Sequence, residues 1–326
     1  MTRAGAPGAG QAAPTLGQRM ASRALIVGVK VLQLLPEGLV YRAAYGAGWG
    51  LSFVLGARRR LARRNLERVV RWLDAQGAAD QRAAAAARSG RKLDGLVRSA
   101  FGHWVMTYAE AIRAPLYDAA AIRERVRLET PEAVADALGP VAPGHLGPIY
   151  VGLHFGSVEI AGLYAARLGH VPVGGPMESV GNPVMRDHFE RLRLRLGVEV
   201  YPIAGVAPRL RARLAQGLAV ALVADRVIAG AGSRVELFGV PGRIPGGPAM
   251  LAAETGARLC FISLRREARP GRWVTRVEIV MPPEGGSRRE RTEALMHHHA
   301  RWIERTIATA PEQWWSLLFP VWEDIA

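Results

Sequence analysis

Pro148-Ile149-Tyr150-Val151-Gly152-Leu153-His154-Phe155-Gly156-Ser157-Val158-Glu159 places a short apolar run, a glycine turn and the opening of a helix in one continuous stretch. Up to Leu153 the run is partly β-branched and reads as a buried strand. From Ile160 to Leu168 the apolar residues fall at helical spacing. Gly156 suits the tight turn, Ser157 can cap the helix, and Glu159 falls in the first turn, where the helix dipole favours a carboxylate. His154 thus stands at the end of a strand with an acid close behind it. Such an acid can fold back to the imidazole, fix its tautomer and stabilise the imidazolium formed when the other ring nitrogen takes a proton from a hydroxyl. The same residues also fit a plain capped helix, in which Glu159 serves only the dipole and His154 only packs.

Outward from this stretch the pattern repeats. Short apolar runs at Ile149 to Leu153, Val198 to Ile203, Leu218 to Ala224 and Leu259 to Leu264 alternate with helical stretches such as Pro183 to Leu196 and Pro208 to Gln216. The expected fold is α/β, with a largely parallel central sheet flanked by helices. The part before it is helical. Leu25 to Leu55 is apolar but broken by Lys30, Pro36, Glu37 and Arg42, so it lacks the roughly 18 uninterrupted apolar residues of a spanning helix. Two helices joined near Pro36 fit better. Residues 80–114 continue as helix, through Leu93, Leu96, Val97, Trp104 and Tyr108. The expected organisation is a disordered Ala-, Gly- and Pro-rich N-terminus over 1–17, a membrane-associating helical hairpin over 18–57, and an α/β domain over 58–326.

The chain of 326 residues carries a formal charge of +15, so its preferred partner surface is anionic. Lys30 and Lys92 are its only lysines, and an arginine- and alanine-rich composition can also follow from codon usage. Five arginines fall within Arg58-Arg59-Arg60-Leu61-Ala62-Arg63-Arg64-Asn65-Leu66. Behind an apolar hairpin, such a cluster suits an anionic membrane surface, and it equally suits the solvated face of a core helix. No zinc-finger spacing or RNP-like aromatic motif accompanies it, so no nucleic-acid partner is expected. The single cysteine, Cys260, excludes an intrachain disulfide and reads as a buried, inert thiol.

Further constellations lie near strand ends, where α/β sites are assembled. Asp225-Arg226 follows the run ending at Ala224, and forms either part of a site or a structural ion pair. Pro245-Gly246-Gly247-Pro248 opens a helix whose free N–H groups suit an anion, or simply starts that helix. Arg191, Arg193 and Arg195 cannot all share one helix face, so one or two at most enter a site. His297, His298 and His299 point in different directions and read as surface residues rather than metal ligands. Trp314, Trp315 and Trp322 suit a membrane interface or the core.

In order along the chain, Arg63-Arg64-Asn65-Leu66, His154 to Glu159, Glu178-Ser179-Val180-Gly181-Asn182-Pro183, Arg193 with Gly197, Ala224-Asp225-Arg226, Phe238-Gly239, Pro245 to Ala249, Thr255-Gly256-Ala257, Pro311-Glu312-Gln313-Trp314-Trp315 and Pro320-Val321-Trp322 resemble the bacterial glycolipid acyltransferases. That family includes the late acyltransferases of lipid A synthesis and the phosphatidylinositol mannoside acyltransferases. The resemblance implies transfer of a fatty acyl group from acyl-CoA or acyl-carrier protein to a hydroxyl of a membrane glycolipid. The expected protein is a monomer, peripheral or monotopic on the cytoplasmic face of the bacterial plasma membrane, with no metal or further cofactor. By resemblance His154 is the general base and Glu159 its orienting acid. Arg193 stabilises an anionic group, Asp225 and Arg226 shape the site, and Glu178, Asn182 and Gly247 help bind substrate. Two departures stand out. Many relatives have Asp-Arg-Asp where this chain has Asp225-Arg226-Val227, and mannoside-specific relatives tend to place an acid after a Gly-Val pair, where this chain reads Gly232-Ser233-Arg234-Val235. Against the enzyme stand a non-catalytic basic protein that binds anionic lipid or nucleic acid, and an acyl thioesterase in which water replaces the lipid hydroxyl.

Overall fold

The computed structural model describes residues 16–177, 191, 193–194, 197–227 and 232–325. The chain opens with α1 (Leu16–Leu34) and α2 (Glu37–Val54), which meet at Pro36 as the sequence predicts. Proline lacks an N–H and disfavours helical backbone in the residue before it, so one helix stops there and another starts. Then come α3 (Gly56–Ala75), α4 (Gln81–Arg88), α5 (Gly90–Arg113) and α6 (Ala119–Arg125). The hairpin does not stand apart. Val40 and Tyr41 of α2 are buried against Met106 and Ala109 of α5, and Arg113 donates to the carbonyls of Leu32 and Leu35.

The rest of the chain builds the sheet. Its strands are β1 (Val126–Leu128), β2 (Ile149–Gly152), β3 (Val173–Met177), β4 (Val198–Pro202), β5 (Ala219–Val223), β6 (Ser233–Leu237), β7 (Val240–Ile244), β8 (Leu259–Arg266) and β9 (Trp273–Val280). Between and after them lie α7 (Pro131–Leu138), α8 (Val158–Leu168), α9 (Ala207–Ala215), α10 (Gly247–Thr255) and α11 (Arg288–Ala308). Among the described residues, seven strands form one sheet in the order β1-β9-β8-β2-β5-β3-β4, and β8, β2, β5, β3 and β4 run parallel. β9 turns back antiparallel to β8, and β1 follows β9 in parallel. The fold is the expected α/β one. β6 and β7 form a separate antiparallel hairpin, turning at Phe238 (φ 52°) and Gly239 (φ 73°).

β2 pairs with β5 on one side and β8 on the other, and helices cover both of its faces. Ile149 and Val151 pack with α10 and α11, whereas Tyr150 packs with α7 and α8. Trp314 and Trp322 are fully buried and surround Phe238 with Trp72, so these indoles belong to the core. One expectation is corrected here. His297 is exposed, but His299 is buried against Phe261 and Trp302, because its position on α11 faces the sheet. Cys260 is buried as expected, and burial pushes its thiol up to about 12.

Candidate active site

His154 lies just past the end of β2, held by three backbone hydrogen bonds. The N–H of Gly156 donates to Gln313 O (3.0 Å), that of Ser157 to Leu264 O (3.1 Å), and that of Trp315 to His154 O (3.0 Å). Gly156 has φ +55°, and a Cβ there would fall 1.8 Å from the carbonyl oxygen of Leu264. Only glycine permits this turn.

The imidazole faces Asp225, at the end of the neighbouring strand β5. Asp225 Oδ1 accepts from His154 Nδ1 (2.7 Å) and from the His154 N–H (3.0 Å). Its Oδ2 accepts from Trp314 Nε1 (2.7 Å) and Ser316 Oγ (2.8 Å). The carboxylate is fully buried. Burial alone would raise its pKa, but the His154 imidazole and the N–H donors of His154 and Trp314 outweigh it and hold the group well below the usual carboxylate range. An ionised carboxylate only accepts, so Nδ1 carries the proton and Nε2 remains to take one. The ring edge of Trp315 packs on the imidazole at 4.3 Å between centroids.

The donors to Asp225 Oδ2 come from a C-terminal strap, Pro311 to Phe319, which α3 holds in place. Asn65 Nδ2 donates to Leu317 O (2.8 Å) and Phe319 O (2.9 Å), and Arg58 donates to Leu318 O (3.0 Å). Gln313 pairs with both backbone groups of Arg266, whose guanidinium is buried on Glu110. The arginine cluster of α3 therefore divides. Arg58 and Arg63 make intramolecular bonds, while Arg59, Arg60 and Arg64 are exposed.

The acid expected against the imidazole, Glu159, takes a different partner. From the first turn of α8 it accepts from Arg193 at 2.7 Å. The structure thus brings His154, Glu159, Arg193, Asp225 and Arg226 to one end of the parallel strands. However, the carboxylate touching His154 is Asp225. Its position at a strand end was legible, whereas its partner depended on which strand lies beside β2. Glu178 and Asn182 lie outside the described residues. Gly247 does open a helix, α10, but on the Ile149 face, where it lines neither cavity described below.

Among the described residues, one cavity is lined by the chain neighbours of His154 and another by Asp225 itself. The first, about 100 Å³, lies between α8 and the sheet, walled by apolar and small residues including Leu153, Phe155, Val158, Ala161, Gly162 and Ala165. The second, about 210 Å³, is walled by Asp225, Arg226, Arg243, Trp322 and Glu323. Arg226 stacks over Phe319 at 4.3 Å. A base, a fixed carboxylate, an apolar slot and arginines suit the attack of a hydroxyl on an acyl group with an anionic carrier.

Residues 16–322 match the family described as bacterial lipid A biosynthesis acyltransferase. The chain belongs to that family. It is therefore an O-acyltransferase of lipid biosynthesis, with an acyl donor and a glycolipid acceptor as substrate classes. The acyltransferase is 27% identical over 311 residues to the phosphatidylinositol mannoside acyltransferase of Mycolicibacterium smegmatis (strain ATCC 700084 / mc(2)155), covering 94% of this chain and 93% of that one. It is 30% identical over 191 residues to the protein of the same name from Mycobacterium tuberculosis (strain ATCC 25618 / H37Rv), covering 57% and 58% of the two chains. Among the described residues, no helix of the acyltransferase is long and apolar enough to cross a membrane.

Proposed function

We propose that this acyltransferase moves a fatty acyl chain from an acyl-CoA or acyl-carrier-protein thioester to a sugar hydroxyl of a membrane glycolipid. The observation that carries this reading is the 2.7 Å contact of His154 Nδ1 with buried Asp225, beside an apolar cavity. His154 Nε2 takes the proton of the acceptor hydroxyl, and Asp225 holds the tautomer and stabilises the imidazolium. The acyl chain occupies the cavity between α8 and the sheet. Arg193, fixed by Glu159, and Arg226, beside Arg243, face anionic groups of donor or acceptor. The mannoside acyltransferases among its relatives favour a mannosylated phospholipid acceptor over a lipid A-type one.

The protein works from the cytoplasmic face of the plasma membrane, lying on it rather than spanning it. Support comes from the exposed apolar side chains of α1 and α2, among them Val31, Leu34, Leu39, Phe53 and Val54, followed by exposed Arg59, Arg60 and Arg64. The test is purified protein with acyl-CoA and either mannosylated phosphatidylinositol or a lipid A precursor, with products read by mass spectrometry. Acylated glycolipid that disappears in His154→Ala supports the reading. Thioester consumed equally with and without acceptor makes the protein a thioesterase, and unchanged transfer in His154→Ala removes the catalytic assignment.

A further inference from the structure

Ser157 sits at the N-cap of α8, the position from which a serine ordinarily accepts a bond from the first turn. It makes no such bond, and has φ −119° and ψ 94°. Ser157 is fully buried, and its Oγ has no hydrogen-bond partner among the described residues. A buried hydroxyl left unpaired costs stability, so its retention calls for a reason outside the unliganded fold. The residue lines the apolar cavity together with Leu153, Phe155 and Val158, the neighbours of His154 in the chain. With no side chain capping α8, its first-turn N–H groups also lack an intrahelical acceptor, at the positive end of the helix dipole.

We propose that the Ser157 hydroxyl, with the first-turn N–H groups of α8, is the oxyanion site of the acyl transfer, receiving the carbonyl oxygen of the thioester whose chain fills the cavity. This rests on the acyl-transfer reading above. The acceptor oxygen bonds to the carbonyl carbon as its proton passes to His154 Nε2. The carbonyl π pair moves onto the oxygen, where Ser157 and the amides hold the charge. Collapse re-forms the carbonyl and breaks the C–S bond, and the proton on His154 passes to the departing sulfur to give the free thiol. The unpaired hydroxyl gains its partner in this step, so its stabilisation falls on the transition state.

The experiment compares wild type, Ser157→Ala and Ser157→Thr with acyl-CoA and glycolipid acceptor, reading kcat, donor KM, the pH profile and the melting temperature. Ser157→Ala is expected to lower kcat by about 10- to 100-fold, with donor KM and the shape of the pH profile unchanged. Its melting temperature should equal or exceed that of wild type, because it removes an unpaired buried hydroxyl. Ser157→Thr keeps the hydroxyl and should recover most of the rate. A kcat for Ser157→Ala within about twofold of wild type overturns the proposal while leaving the acyl-transfer reading standing. A fall in melting temperature alongside activity also overturns it, by making Ser157 structural. A wild-type protein with no transfer activity overturns both.

Discussion

Asp225 Oδ1 lies 2.7 Å from His154 Nδ1, although 71 residues separate them in the chain. The contact exists because β5 lies beside β2, so that the two strands end together. Asp225→Asn replaces an obligate acceptor with a group that can donate, and so favours the wrong imidazole tautomer. Transfer should fall by about 10²- to 10⁴-fold in kcat, measured in the acceptor assay on protein whose circular dichroism matches wild type.

Glu159 and Arg193 form a separate pair in which each side chain is 26% exposed. Glu159→Gln should loosen Arg193 and raise donor or acceptor KM by up to about tenfold, with a smaller effect on kcat than Asp225→Asn. Solvent screens a pair this exposed, so its melting temperature should barely change. A loss in Glu159→Gln as deep as in Asp225→Asn would place Glu159 in the proton-transfer step.

Gly162 lines the apolar cavity, and a Cβ built there meets no atom within 4 Å. Gly162→Leu fills this space without backbone strain and suits a helix interior. The variant should shift preference toward shorter acyl-CoA donors, read as kcat/KM across a chain-length series. An unchanged series would move the acyl chain elsewhere.

Burial lowers the His299 imidazole from its ordinary value to about 4, with nearby Asp225 opposing the shift and His298 adding to it. The unfolded chain protonates this group near pH 6.5, whereas the folded chain keeps it neutral down to about 4. Between those values the unfolded state binds more protons, so stability falls with pH across the window and levels off below it. Asp225, with a folded-state pKa below its unfolded value, extends the loss further into acid. Denaturant melts of His299→Met should show a decline between about pH 6.5 and about pH 4 that is smaller by order 3 kcal/mol, while buried His103, whose imidazole burial also holds below its ordinary value, keeps part of the decline in place.

Leu34 and Val54 are 86% and 77% exposed on the helical hairpin. Leu34→Glu with Val54→Glu should weaken sedimentation with anionic vesicles by about tenfold or more while leaving the melting temperature unchanged. Arg59→Ala with Arg60→Ala should instead flatten the salt dependence of binding.

What could be read in the sequence was local. The apolar run to Leu153, the turn at Gly156 and the helix to Leu168 are set by short-range sterics and by the periodicity of apolar residues, and they recur in the structure where the sequence places them. The break at Pro36 is of the same kind. β3 was hidden because Val173-Gly174-Gly175-Pro176-Met177 reads as a turn, and only pairing with β4 and β5 makes it a strand. β9 (Trp273–Val280) is likewise absent from the apolar runs read in the sequence, and its antiparallel return against β8 is set by tertiary pairing.

The sequence alone therefore determined that a histidine stands at the end of a buried strand, a few residues before a helix begins, because those conformations depend on neighbours in the chain. Only the tertiary structure decided which acid that histidine meets. Strand order brings Asp225 to His154, whereas Glu159, five positions away in sequence, pairs with Arg193. Asn65 fixes a strap over 250 residues distant, and the strap supplies Trp314 and Ser316 to the carboxylate. Such contacts follow from the packing of one sheet and its covering helices, where most buried polar groups find partners that local sequence does not specify.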